Sequence, residues 1–370
     1  MPGETVVMSP YVLGFDRCNA DELTRVGGKS VGLNEMIRAG VPVSPGFVVT
    51  TDACKLALAS SGLERRIGAL LDGARADDVS ALTRISSDVR RWIEAMDIPR
   101  EIEAAIGQSY AQLAATHGQA DIAVAVRSSA VAEDLPNASF AGQHDTFLWI
   151  RGLDAVVRGV VRCWSSLFTA RAISYRSQNG FPHDSAAMGV AVQKMVHART
   201  AGAACTLNPV NGDRSKIVID ASWGFGEAVA QGEVTPDQYV VDKVARGIVK
   251  RTVSHKHIEY AVDTASGSLS RRQVLPERQQ ISCLSDEEVV TIAEIAQRLE
   301  THCGQPQCVE WAIGVDLPSS ASVVMLQSRP ETVWSQRPRT PVSADRVTGV
   351  ESVLASLLRP LRRSRTENQP

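Results

Sequence analysis

The spacing of apolar side chains changes period near residue 121, and that change limits what this chain can fold into. From 52 to 118 the sequence is rich in Ala, Leu and Arg with helical recurrence. Leu56, Leu63, Ile67, Leu70 and Leu71 fall on one stripe, and Val89, Ile93 and Met96 on another. From Asp121 to Arg127 the pattern alternates instead, Ile122, Val124 and Val126 against Ala123, Ala125 and Arg127, which is the period of a strand. A helical block followed by a strand-rich remainder predicts an α+β chain.

The flanks extend this reading. Residues 15–50 predict a helix from Gly28, a turn at Ala39–Gly40 and a strand over Gly46–Thr50. After the 121–127 strand come a polar loop, Ser128 to Gln143, a strand at Thr146–Ile150 and helix over 153–177. Further strands are expected at Gly189–Met195, Lys216–Asp220, Tyr239–Asp242, Val309–Val315 and Ser322–Gln327, interrupted by a helix, Asp286–Glu300, with Ser285 as its N-cap. The division expected is 1–120 helical and mixed, 121–200 strand-rich, 201–335 a C-terminal subdomain, and 336–370 a tail. That tail carries seven Arg against three acids and four Pro. A disordered basic tail and a partner-docking tail are both compatible with it, with Val350–Leu358 able to form a short amphipathic helix.

Of 370 residues 44% are hydrophobic and 22% charged, with a formal net charge of −2. No global field favours nucleic acid or an anionic membrane. No apolar run approaches the ~20 residues of a membrane-spanning helix, and MPGETVVMSPYVLGF lacks the basic and apolar regions of a signal peptide. The seven cysteines are odd in number, scattered and without a CxxC. Reduced thiols in a cytoplasmic protein are expected, rather than a disulfide framework or zinc site.

Two familiar phosphate motifs fail on spacing. Gly28-Lys29-Ser30 resembles the end of a P-loop, but Leu23 stands where GxxxxGK[ST] needs Gly. Gly224-Phe-Gly226 lacks the third glycine of GxGxxG, Val229 being in its place. Lys29, behind a glycine pair, is nevertheless a candidate anion ligand; a solvated first-turn lysine is the equal alternative. Arg127 ends a strand before Ser128-Ser129, where its planar fork suits phosphate oxygens; a surface salt bridge to Glu133 or Asp134 is the alternative. Ser139, Gln143 and Thr146 are hydrogen-bonding candidates on the loop that follows, with Gly142 giving it freedom to close. Two strands flank the turn-forming Asp316-Leu-Pro-Ser-Ser-Ala, and pairing 316 with 321 sets Glu310 opposite Gln327 and Cys308 opposite Arg329. A carboxylate, a carboxamide oxygen and an arginine then share one face, a donor set for Mg²⁺ or else an exposed polar hairpin face. Gln193-Lys194-Met195-Val196 ends a strand whose main chain could pair with adenine, or is an ordinary core terminus.

Six ordered segments, GGKSVGLNEMIRAGVPVSPGFVVTTDA, VAVRSSAVAEDLPNASFAGQHDTFL, VAVQKMV, AACTLNPVNGD, IVIDASWGFGEAVAQGEVTPDQYVVDK and VEWAIG…MLQSRPETVW, closely resemble the ATP-binding domain of the phosphoenolpyruvate synthase and pyruvate phosphate dikinase family over residues 12 to 335. The resemblance implies an ATP-grasp fold of two to three subdomains with ATP between them. It implies Lys29, Arg127 and Arg329 as catalytic cations on the phosphates, the 139–146 loop as their cover, Gln193 and the 194–196 backbone as the adenine site, and Glu310 and Gln327 as Mg²⁺ ligands. The implied reaction cleaves ATP to AMP and Pi and passes the β-phosphoryl to a histidine on a swivelling domain.

Two departures qualify it. Cys308-Val-Glu310-Trp replaces the family's D-x-E-W, removing a carboxylate from the metal face. No Thr-Ser-His-Ala-like carrier motif occurs in these 370 residues, and His144 lies in the phosphate loop. The expectation is therefore a phosphotransferase subunit that needs a separate histidine carrier chain, as in phenylphosphate synthase. A non-catalytic nucleotide-binding module and a truncated gene are the alternatives.

Overall fold

A computed structural model describes residues 9–72, 78–130, 145–181, 183, 186–263, 266–315 and 323–335, and the backbone of 134–135 and 138–139. Met1–Glu331 forms one compact unit and Thr332–Pro370 a second; the described part of the second, 332–335, is a short bend and turn. The expectations for the tail beyond 335 lie outside the described residues.

The first unit begins with β1 (Val12–Gly14), α1 (Leu23–Val26), α2 (Gly28–Arg38) and β2 (Gly46–Val49). A helical stretch follows: α3 (Thr51–Ser60), α4 (Leu63–Leu71), α5 (Val79–Glu94) and α6 (Arg100–Thr116). Then come β3 (Val124–Ala130), the short β4 (Asp134–Leu135) and β5 (Ala138–Ser139), β6 (Thr146–Ile150), α7 (Leu153–Ser165), α8 (Ala170–Gln178) and β7 (Met188–Lys194). The remainder is β8 (Ala198–Cys205), β9 (Lys216–Trp223), α9 (Glu227–Ala230), β10 (Asp237–Asp242), β11 (Gly247–Thr252), β12 (Ile258–Val262), β13 (Leu269–Gln273), α10 (Asp286–Cys303), β14 (Gln307–Gly314) and β15 (Val323–Pro330). No described helix is long and apolar enough to cross a membrane.

These elements build two larger antiparallel sheets, β1-β2-β7-β3-β6 and β11-β10-β9-β8-β14-β15. The first sheet buries one face under α3 to α8, because their periodic apolar residues line up against it. Ile67 and Leu71 of α4, Val89 and Ile93 of α5, and Val156 and Val160 of α7 share a core with Val124, Val126 and Val190. The second sheet is backed by α10, whose stripe Val289, Ile292, Ala296 and Leu299 packs in one core with Ile219, Trp311 and Met325. Ser285 and Glu288 close a reciprocal capping box at its start, and Gly304 in the left-handed region ends it. Leu33 and Met36 of α2 reach into this second core together with Val48 and Ala191 of the first sheet, so α2 joins the two sheets.

The segment before β2 joins them again. Met325 N donates to Pro42 O at 2.8 Å, and Ser44 Oγ donates to Lys194 O at 2.6 Å. One chain segment therefore touches the edge strand of one sheet and the end of β7 in the other.

Three expectations needed correction. The strand expected at 121–127 runs from Val124 to Ala130, so Ser128 to Ala130 belong to the ladder rather than to a loop. The strand β8 was not expected at all, because Ala-Arg-Thr-Ala-Gly-Ala-Ala-Cys has almost no strand-favouring residues. The cysteines are not all reduced: Cys205 on β8 and Cys308 on β14 face each other in register and are joined in a disulfide. Their partnership was invisible because β8 was.

Candidate functional site

A cleft of about 620 Å³ opens between the two sheets, walled by β3 and β7 on one side and by β8, β14, β15 and α9 on the other. Lys29, Arg127, Thr146, Gln193, Lys194 and Met195 line it from the first side, with Val196 in the link to β8. Glu310, Gln327 and Arg329 line it from the second. Gly142 and Gln143 lie outside the described residues, and Ser139 is described only as backbone of β5.

Lys29 reaches the cleft because α2 starts hard against the end of β3. Gly27 sits at φ +76°, and a Cβ there would lie 1.9 Å from Ser129 O, so only glycine permits the approach. Ser30 N and Ser30 Oγ each lie 3.2 Å from Ser129 Oγ, which pins the first turn. Lys29 Nζ then donates to Ser128 O at 2.8 Å, one residue from Arg127.

Arg127 crosses the cleft. Its Nη2 donates to Glu310 Oε2 at 2.8 Å and to Gln327 Oε1 at 2.7 Å, and its Nη1 donates to Leu326 O at 3.3 Å. The guanidinium is largely enclosed, with 15% of the side chain exposed, and its Nε is buried without a partner among the described residues. A buried unsatisfied donor on a cation is a standing demand for an acceptor, and an anionic ligand supplies one.

A β-bulge creates the acceptor side of this contact. From Ile313↔Val323 to Trp311↔Met325 the hairpin keeps one register; between Glu310 and Trp311 it slips, leaving Leu326 unpaired and setting Glu310 opposite Gln327. The expected pairs Glu310↔Gln327 and Cys308↔Arg329 are present, but they arise from the bulge and not from one uniform ladder. The bulged Leu326 carbonyl, released from the ladder, accepts from Arg127 and also from Gln193 Nε2 at 3.3 Å.

Glu310 lies on the cleft floor, with 45% of its side chain exposed. Burial pushes its carboxyl upward, but the charge and hydrogen bond of Arg127, helped by Arg329 and Lys29, outweigh that and hold it below the ordinary range. Glu310 Oε2 and Gln327 Oε1 both accept from Arg127 Nη2, at 2.8 and 2.7 Å, so the two oxygens converge on one cation. Two hard oxygens that converge on one cationic group are donors of the type a small divalent cation takes. No cluster of three or more His, Cys, Asp or Glu suited to a metal occurs among the described residues. A cation here would therefore complete its shell with water and ligand oxygens.

At the other end of the cleft Gln193, 2% exposed, is fixed in orientation. Its Nε2 donates to Ser44 O and Leu326 O, both at 3.3 Å, which leaves Oε1 as the acceptor. Lys194 N and Met195 N are already bonded, to Pro45 O and Ala123 O. Of the 194–196 backbone, only Val196 has both its amide and its carbonyl unpaired among the described residues. Met195, Leu326, Leu148 and Phe225 give this end an apolar lining.

Sequence reasoning passed over Glu227 and Gln231, which line the cleft from α9 and are hydrogen-bonded to each other at 3.1 Å. The signal was the Gly-Phe-Gly-Glu run after a strand, tested only as a dinucleotide motif. It also passed over Trp149. This residue has φ 58° at a bulge in β6, packs edge-on against Phe225, and donates through Nε1 to Gly267 O, between β12 and β13, at 2.9 Å.

Residues 23–348 match the family described as pyruvate phosphate dikinase, AMP/ATP-binding domain. A probable phosphoenolpyruvate synthase of Staphylothermus marinus is 42% identical over 348 residues, covering 88% of this chain and 42% of that protein. A probable phosphoenolpyruvate synthase of Methanothermobacter thermautotrophicus is 42% identical over 335 residues, covering 90% and 48%. A phosphoenolpyruvate synthase of Pseudomonas aeruginosa is 40% identical over 347 residues, covering 90% and 43%. The chain spans less than half the length of each of these relatives.

Proposed function

The chain belongs to the pyruvate phosphate dikinase AMP/ATP-binding domain family, and from that membership we propose that it is the ATP-binding phosphotransferase module of a phosphoenolpyruvate synthase-like dikinase system. In this reading the two-sheet arrangement is an ATP-grasp fold that holds Mg·ATP in the cleft. The observation that carries it is the Arg127 contact: a cation from one sheet meets the carboxylate and carboxamide of the other inside a cleft of nucleotide size.

The chemistry follows from charge. Phosphoryl transfer needs positioning and neutralisation of phosphate oxygens more than covalent help from protein. Lys29, Arg127 and Arg329 supply fixed positive charge toward the phosphates, and Glu310 and Gln327 would hold Mg²⁺. Bound Mg²⁺ neutralises phosphate charge and orients the chain of phosphates. When the nucleotide enters, Arg127 exchanges its two protein acceptors for phosphate oxygens, which frees the oxygens of Glu310 and Gln327 that would hold the metal. Gln193 Oε1 accepts from the adenine amino group, Val196 offers its backbone amide and carbonyl to the ring edge, and Met195 packs on its face. The module cleaves ATP to AMP and Pi and passes the β-phosphoryl to a histidine on a separate carrier chain.

The test mixes the protein and Mg·ATP with and without a swivelling-histidine domain taken from a phosphoenolpyruvate synthase, followed by phosphorus NMR. AMP, Pi and phosphohistidine formed only with that domain support the reading; ADP as the sole product refutes it. A second reading, nucleotide binding without transfer, draws on one observation: the residue two before Glu310 is locked in a disulfide rather than offering a carboxylate. Binding of the nucleotide with no AMP formed in the presence of the carrier favours that reading.

A further inference from the structure

The disulfide lies beside the proposed metal row. Three strands carry two adjacent rows on one sheet face: Ala203–Glu310–Gln327, and next to it Cys205–Cys308–Arg329. Within β14 the residues Cys308 and Glu310 are two apart with no register shift between them, so they project to the same side. Cys205 and Cys308 have Cα atoms 4.2 Å apart and are both half-buried, within reach of small solutes.

We propose that Cys205 and Cys308 form a reversible thiol–disulfide site that sets how firmly the cleft floor binds nucleotide. The exchange partner is a low-molecular-weight disulfide such as oxidised glutathione. One protein thiolate attacks it, forming a mixed disulfide and releasing one small thiol. The second cysteine attacks the protein-side sulfur of that mixed disulfide and releases the other. Two electrons pass from the protein pair to the small disulfide, and the two protons go to the released thiols. Excess dithiol reverses the sequence.

The consequence is mechanical. The closed bond spans 103 residues of chain and ties β8 to β14 one row from Glu310. It therefore fixes the spacing between Ala203 on the floor and the carboxylate that faces it. Opening the bond removes the one covalent tie between β8 and β14 beside that row, and a less preorganised floor binds less tightly. The other described cysteines do not compete. Cys18, Cys54, Cys163 and Cys283 are buried, and burial pushes the thiols of Cys18 and Cys54 up to about 12 and those of Cys163 and Cys283 upward as well. In a reducing compartment, disulfides of this kind serve as redox sensors more often than as structural staples.

The pair itself stands without the nucleotide reading; its effect on affinity rests on that reading. The test equilibrates the full chain in reduced and in oxidised glutathione buffers and counts reactive thiols under native conditions. Cys205, Cys303 and Cys308 should react after reduction, and Cys303 alone after oxidation. The oxidised form should melt several degrees higher and bind a β,γ-imido ATP analogue with Mg²⁺ at least about threefold more tightly. Cys308→Ser should abolish both differences, and Cys303→Ser should keep them. Persistence of the Cys205 and Cys308 thiols in the oxidised buffer overturns the proposal, as does equal or weaker analogue binding by the oxidised form. Should neither form bind the analogue, the nucleotide reading falls, and the thiol count and melting shift still decide the redox pair.

Discussion

Replacing Arg127 with methionine tests the hinge of the whole site. Arg127 makes two short charge-assisted hydrogen bonds across the cleft, at 2.8 and 2.7 Å, and a weaker one at 3.3 Å. Such bonds contribute about 1.5–3 kcal/mol each when well shielded. Glu310 is 45% exposed, so its share is discounted for solvent screening. The freed oxygens of Glu310 and Gln327 can turn to water in the open cleft, which limits the penalty for stranding them. A net loss of about 2 kcal/mol is expected, a fall of a few degrees in Tm for a chain of this size. Methionine fills much of the aliphatic volume, so the loss reports the head group rather than packing. Nucleotide binding should weaken more, by at least about tenfold, since ~1.4 kcal/mol is one decade and the bidentate phosphate contact goes entirely. Mg²⁺ alone should bind more tightly, because its competitor for Glu310 is gone. Differential scanning fluorimetry and titration calorimetry with a β,γ-imido ATP analogue measure all three. An unchanged Tm together with analogue affinity within about twofold of the parent would refute the reasoning.

Gln193→Met removes the fixed acceptor at the base end; the adenine analogue should lose about tenfold in affinity while the guanine analogue changes little, and parallel losses for both would contradict that assignment. Lys256 and Asp237 form a fully buried ion pair. Lys256→Met should therefore cost about 3 kcal/mol in urea unfolding, because Asp237 is left with neutral partners among the described residues, the Ser254 and Cys283 amides, the Cys283 thiol and a distant Tyr239 hydroxyl; a cost under about 1 kcal/mol would show the pair is not needed. Glu310 is held below its ordinary value of 4.5, so its contribution to stability is present above that pH and lost as pH falls through the lower folded value. The stability gap between the parent and Glu310→Gln should thus be full at pH 6 and close only below about pH 4.5, and a gap that widens on acidification would reverse the sign.

The parts of this molecule legible in the sequence were those written in side-chain pattern. Apolar periodicity marked α4 and α5, an N-cap serine marked the start of α10, and alternation with a turn-rich insert pointed to Glu310 across from Gln327, a pair that the structure reaches through a bulge. What stayed hidden depends on contacts made at a distance. Strand β8 is built of small residues because the floor is crowded: a Cβ on Gly202 would lie 1.9 Å from Asp220 O and 2.9 Å from Trp311. No propensity scale reads that as a strand. With β8 unseen, Cys205 had no visible partner. The bulge at Leu326 has no local signature either, although its carbonyl organises both Arg127 and Gln193. Trp149 is stranger still, a bulky residue at positive φ, held by Phe225 and Gly267 from elements more than seventy residues away.

The most direct test of the central claim is a crystal of the full chain grown with Mg²⁺ and a β,γ-imido ATP analogue. The account predicts the triphosphate between Lys29 and Arg127 on one wall and Arg329 on the other. It predicts Mg²⁺ on Glu310 and Gln327, Arg127 turned from those two onto phosphate, and adenine against Gln193 and Val196. An analogue bound elsewhere, or one in the cleft with Arg127 still clasping Glu310 and no metal at the hairpin, would contradict it.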